Sequence, residues 1–183
     1  MKKQVFFLHS AGPQDHHRGS SGLIEYVKDK LCNDYHLIYP KMPNTEEPEY
    51  MLWKAQLEKE FVALDGEVLL IGHSLGGAVL LKYLSEKTVN VSITGLFLIA
   101  APYWGKDDNW QSDEYTLPDN VASRLPQMPQ MCFYHSRNDE IVPSSHLEHY
   151  KQKLPQANTT ILDGKDHFFS NGLPMLVDDI SKL

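Results

Sequence analysis

The chain has 183 residues, 42% hydrophobic and 22% charged, with 24 acidic against 17 basic side chains and a net charge of −7. This length suits a single domain with its own core, because domains run to about 100–200 residues, and the apolar content excludes a disordered chain. Nucleic acid meets a repulsive average field, and without an apolar run of about 18 residues no membrane-spanning helix is expected, so a soluble protein with no membrane or nucleic-acid partner is anticipated.

Met1-Lys2-Lys3 followed by Val5-Phe6-Phe7-Leu8 imitates a signal peptide. The apolar stretch stops at His9, short of the roughly 7–15 residues such a segment needs, and a cytoplasmic location is expected. Residues 5–8 are read instead as the first strand. Leu23, Ile24, Val27 and Leu31 then share one helix face, with Ser20 or Ser21 available as N-cap. A second apolar run covers 36–39, and Tyr50, Trp53, Leu57, Phe61 and Leu64 form the next helical stripe, with Gly66 just beyond its end. The third strand, 68–71, leads through Gly72-His73-Ser74-Leu75-Gly76-Gly77 into a helix carrying Ala78, Val79, Leu81 and Leu84. Strands follow at 96–100, 131–135 and 159–162. The last two are separated by a helix in which Ser145-x-x-Glu148 has capping-box spacing and Pro155 forms the stop. A final helix spans about residues 174–182.

These short, continuous apolar runs alternating with helices predict an α/β fold. Its sheet is mostly parallel and six-stranded, covered on both faces as a three-layer α/β/α sandwich. Residues 102–130 break the alternation with tryptophans, tyrosines and prolines and at most one short helix at 119–125. A connection of that length is usually functional or disordered, and its aromatic content points to a small lid.

An apolar strand, Gly-x-Ser-x-Gly and a helix together form the context in which a serine sits on a strained turn with its hydroxyl projecting. Ser74 is therefore the candidate nucleophile. A serine hydroxyl needs a base, and that base needs a carboxylate to orient it. Of nine histidines, His167 lies just past the last strand, where a loop at the carboxyl end of a parallel sheet reaches the end of the third. Asp139, in the loop after the fifth strand, completes the order Ser, Asp, His. Asp163 and Asp166 are closer in sequence but share the short loop of His167, and Glu140 is read as a surface charge. The Leu75 N–H at the helix start and the N–H of Ala11 or Ser10 after the first strand are the expected oxyanion donors. His9 and His73 are placed at the substrate cleft, shaping the oxyanion loop and the elbow. Trp104, with Trp110, Tyr103 and Tyr115, either lines an acyl pocket or packs the lid.

No metal or cofactor is expected. Adjacent His16 and His17 cannot both face one ion from a helix. Cys32, in the first helix, and Cys132 have no Cys-x-x-Cys spacing and are read as buried free thiols.

Gly72-His73-Ser74-Leu75-Gly76-Gly77, Asn138-Asp139-x-x-Val142-Pro143 and Asp166-His167-Phe168 together resemble the α/β-hydrolase superfamily. The likeness is to its small, nearly lidless serine hydrolases of the retinoblastoma-binding protein 9 and YdeN types. It extends over nearly the whole chain and implies a sheet in the order 2-1-3-4-5-6, with Ser74, Asp139 and His167 as the triad. His9-Ser10 departs from the family's usual His-Gly and puts a side chain in the oxyanion loop. The expected activity is hydrolysis of small carboxylic esters or other acyl substrates through an acyl-enzyme. A thioesterase, an amidase and a cofactor-free haloperoxidase would use the same residues, and a protein-interaction module on the same fold is the rival from another class.

Overall fold

A computed structural model of the chain describes residues 2–15, 18–31 and 34–183. His16, His17 and Cys32 lie outside the described residues. The strands are β1 (Lys3–Leu8), β2 (Tyr35–Ile38), β3 (Glu67–His73), β4 (Ser92–Ile99), β5 (Gln130–Ser136) and β6 (Asn158–Leu162). They form one sheet in the order β2-β1-β3-β4-β5-β6. Every pairing is parallel, so the sheet is wholly rather than mostly parallel.

The helices are α1 (Ser21–Leu31), α2 (Tyr50–Val62), α3 (Leu75–Glu86), α4 (Val121–Arg124), α5 (Ser145–Lys153) and α6 (Pro174–Ile180). Period-two alternation of side chains sends Phe6, Leu8, Leu70, Leu98 and Phe133 to one face, where they meet α2, α3 and α5. Val5, Phe7, Ile71, Phe97 and Tyr134 go to the other, against α1 and α6. Both faces are buried, which is why the strands read as unbroken apolar runs.

Several boundaries differ from the sequence reading for local reasons. β4 begins at Ser92 rather than at 96. Its polar start pairs with β3 through a register shift that matches Val68 to Ile93 and Leu69 to Gly95, a bulge that no apolar pattern announces. The capping box expected at Ser145 does not form. Ser144 is the N-cap, in the αR region and without a side-chain cap bond. Ser20, just before α1, turns its hydroxyl to tertiary contacts with the Ser10 N–H and His73 Nδ1.

Residues 102–130 pack onto the α2–α5 face. Tyr115 Oη donates to the Pro48 carbonyl at 2.6 Å, Tyr150 Oη to the Pro102 carbonyl at 2.7 Å, and Lys82 Nζ to the Thr116 carbonyl at 2.9 Å. Leu8 is level with Gly72, His73 with Ile99, and Ser136 with Leu162. The loops after β1, β3, β5 and β6 therefore emerge at one end of the sheet, where doubly wound folds place their ligands.

Candidate active site

Ser74 leaves β3 with φ 52° and ψ −124°, a conformation that costs a non-glycine residue about 1–3 kcal/mol. The Ser74 N–H, donating to the Ile99 carbonyl at 2.8 Å, helps hold it there. The flanking glycines are steric necessities. A Cβ on Gly76 would come within 2.3 Å of the His9 carbonyl oxygen, and one on Gly72 within 2.5 Å of the Gly77 Cα. The elbow is thus pressed directly against the end of β1.

Ser74 Oγ lies 3.0 Å from His167 Nε2. His167 Nδ1 lies 2.8 Å from one oxygen of Asp139 and 3.0 Å from the other. A carboxylate only accepts, so the proton sits on Nδ1 and Nε2 is left to accept from the Ser74 hydroxyl. The Asp139 side chain is enclosed. Its loop curls so that the Ile141 and Val142 N–H groups donate to Oδ1 at 2.9 and 2.8 Å. Burial pushes the Asp139 carboxyl up, but the hydrogen bonds from His135 and His167 outweigh it and hold the group well below the usual carboxylate range. The two nearer aspartates are spent elsewhere, Asp163 on Arg137 Nε at 2.7 Å and Asp166 on the Ser170 N–H at 3.0 Å. Glu140 is exposed.

On the oxyanion side the structure corrects one expectation. The Ser10 N–H donates to Ser20 Oγ at 2.8 Å in a buried site and is not free to serve as a donor. The Leu75 N–H at the start of α3 and the Ala11 N–H in the loop after β1 remain. His73 does not line a cleft. It is fully buried, its Nε2–H donates to the His167 carbonyl at 2.9 Å, and its Nδ1 accepts from Ser20 Oγ at 2.8 Å. Burial pushes its pKa down to about 3, keeping the ring neutral. His73 therefore props the backbone of His167 and does not meet substrate. His9 is also 96% buried (4% exposed), facing Tyr39 at 6.4 Å between ring centroids, on the α1 side of the sheet. Trp104 stacks on Tyr115 at 4.9 Å and meets Trp110 edge-on at 5.2 Å.

Two residues that support this constellation were missed from sequence. Ser20 presented itself only as a possible cap. His135 sits inside an apolar strand run, yet its Nε2–H donates to the Val142 carbonyl at 2.8 Å and stands 3.4 Å from Asp139 Oδ2. Its one visible signal is a histidine one residue before a strand end whose following loop carries a candidate aspartate. Among the described residues no group of His, Cys, Asp and Glu is arranged to hold a metal ion, and no helix is long and apolar enough to cross a membrane.

No curated protein matches the sequence. Among solved structures, the ydeN gene product of B. subtilis superposes with a TM-score of 0.81 at 22% identity, over 99% of this chain and 98% of that one. A serine hydrolase from the polyaromatic-hydrocarbon-degrading bacterium Cycloclasticus zankles gives 0.75 at 15% identity, over 100% and 89% of the two chains. The meta-cleavage product hydrolase of Pseudomonas fluorescens gives 0.75 at 13%, over 98% and 91%. At these identities the likeness is one of fold. The serine hydrolase family profile, however, matches residues 25–172, most of the chain and the elbow, Asp139 and His167 with it. The chain accordingly belongs to the serine hydrolase family and is a small member of the α/β-hydrolase superfamily.

Proposed function

We propose that this hydrolase is a carboxylesterase for small esters, working through a triad of Ser74, His167 and Asp139. The observation that carries the reading is the continuous line of contacts from the Ser74 hydroxyl through the His167 ring to the enclosed Asp139 carboxylate, at 3.0 and 2.8 Å.

In the proposed cycle Ser74 Oγ attacks the acyl carbon while its proton passes to His167 Nε2. Asp139 holds the ring and stabilises the imidazolium that forms. The carbonyl oxygen, now negative, accepts from the Leu75 and Ala11 N–H groups, each such donor being worth about 10²–10³ in turnover. His167 then protonates the departing alcohol as the C–O bond breaks, leaving an ester on Ser74. Water, deprotonated by the same nitrogen, attacks that ester and releases the acid, restoring the serine hydroxyl. The short 102–130 insertion, packed on the α2–α5 face, favours an open cleft over a deep tunnel, and Trp104 is proposed to line its acyl side.

Labelling by a fluorophosphonate probe tests the assignment. The wild type is expected to react at Ser74 and Ser74→Ala not at all. Labelling retained in the variant overturns Ser74 as the nucleophile, and labelling absent from the folded wild type overturns the enzyme reading and favours a binding module on the same fold. Ester, thioester and amide substrates with one acyl group, assayed side by side, decide the leaving-group class. Trp104→Ala is expected to alter the chain-length profile of p-nitrophenyl esters, and an unchanged profile would return Trp104 to packing alone.

A further inference from the structure

Gln14 Nε2 and Ser21 Oγ, buried without a hydrogen-bond partner, border one cavity together with the buried His9 ring, whose one polar contact is a long one to the Tyr39 backbone. An unpaired buried polar group costs about 1–3 kcal/mol, and buried polar groups are overwhelmingly paired in folded proteins. Their convergence on one space requires a common explanation. The cavity has a volume of about 360 Å³, within the range of small-molecule sites. It lies between the loop after β1, the first two turns of α1 and the chain leaving β2, on the side of the sheet where His9 points.

The chemistry of the wall selects the ligand. The amide oxygen of Gln14 is taken by the Met42 N–H at 2.9 Å, which fixes the side chain so that its NH₂ group faces the space as a pure donor. Ser21 can donate, and so can one nitrogen of His9. Lys28 and Lys41 complete the wall on the outer side. Asp15 and Glu25 also border the cavity and, like the two lysines, are exposed, so the acids and ammonium groups balance on the rim while the buried wall decides the ligand. Tyr39 and Ile24 supply apolar surface. Inside, donors outnumber acceptors, so the complement is a group of acceptor oxygens bearing negative charge on a small apolar body.

We propose that this cavity is a binding site for a small carboxylate, separate from the Ser74 cleft, held by Gln14 Nε2, Ser21 Oγ, His9 and the Lys28 and Lys41 ammonium groups. Charge-assisted hydrogen bonds of this kind are the strong ones. Burial, only partly offset by a hydrogen bond to the Tyr39 backbone and reinforced by Lys41 nearby, pushes the empty-site His9 pKa down to about 4. A bound anion reverses that by giving the imidazolium a partner. Nothing in this inference depends on the esterase reading.

Benzoate is the probe and neutral benzamide its isosteric control, with the His9 ring and the Gln14 side-chain amide followed by NMR. Benzoate is expected to shift both signals saturably and raise the His9 pKa. Losing one charged or hydrogen-bonding partner, in Lys41→Gln or Gln14→Leu, is expected to weaken binding about tenfold. Lys41 is exposed, so its variant remains informative if Gln14→Leu folds poorly. The proposal is overturned if benzoate leaves both signals unmoved, as a cavity holding only water would. It is equally overturned if benzamide moves them as strongly, or if Lys41→Gln binds benzoate with unchanged affinity.

Discussion

Ser20 Oγ stands 2.8 Å from His73 Nδ1 and accepts the Ser10 N–H at the same distance. One hydroxyl at the start of α1 thereby couples the residue before the elbow serine to the loop that carries Ala11. His73 passes the constraint on through its bond to the His167 carbonyl, so the backbone of the proposed base and that of the proposed oxyanion loop are positioned by one buried chain of hydrogen bonds.

Ser20→Ala removes the shared partner and strands the Ser10 N–H and the His73 Nδ1. The expected loss is about 1–3 kcal/mol of stability, read as a lower urea midpoint with an unchanged slope. Turnover is expected to fall while fluorophosphonate still labels Ser74. Unchanged stability would mean that the network contributes nothing.

Asp139 is flanked by two histidines, and they should separate by phenotype. Asp139→Asn cannot hold His167 in the required tautomer and is expected to lower kcat by about 10⁴. His135→Phe removes one donor and strands the Val142 carbonyl, costing about 1–3 kcal/mol. It also raises the Asp139 pKa toward its ordinary value and shifts the acid limb of the activity profile to higher pH. An acid limb identical to wild type would show that His135 does not act on the carboxylate.

Acid should destabilise the fold in two stages. His9 and His73, whose pKa values fall from 6.5 to about 4 and about 3, stay neutral when folded but take up protons when unfolded. Stability is therefore full above pH 6.5 and falls as pH drops, by about 1.4 kcal/mol per pH unit for each histidine, until pH reaches that ring's folded value, about 4 for His9 and about 3 for His73. Asp139, depressed in the folded state, contributes stability above its unfolded value of about 3.9 that is lost only below it. Denaturant titrations across pH 7 to about 3 should show the histidine stage first, and His9→Asn should roughly halve its slope, leaving the His73 share.

Gly76→Ala would drive a methyl into the Leu8 and His9 carbonyl oxygens, 2.4 and 2.3 Å from the added carbon. Backbone cannot yield as a flexible side chain does, so a loss of at least about 1–3 kcal/mol is expected. Because the displaced segment leads into Ala11, turnover of any folded fraction should fall as well. Wild-type melting and activity would refute the close approach.

Much of this molecule is written in local pattern. Continuous apolar strands alternating with amphipathic helices dictate a covered parallel sheet, because only burial on both faces tolerates such runs. Gly-x-Ser-x-Gly between an apolar strand and a helix marks the elbow, because only small neighbours fit there. Loop positions after β5 and β6 picked out Asp139 and His167. Tertiary structure alone decided how polar atoms were spent. Ser20 reads as a helix cap and instead serves His73 and Ser10. The Ser10 N–H is consumed, His73 is a strut, and His9 turns away toward α1. Each outcome depends on which donor and acceptor meet across elements distant in sequence, and spacing along a chain carries no record of that meeting.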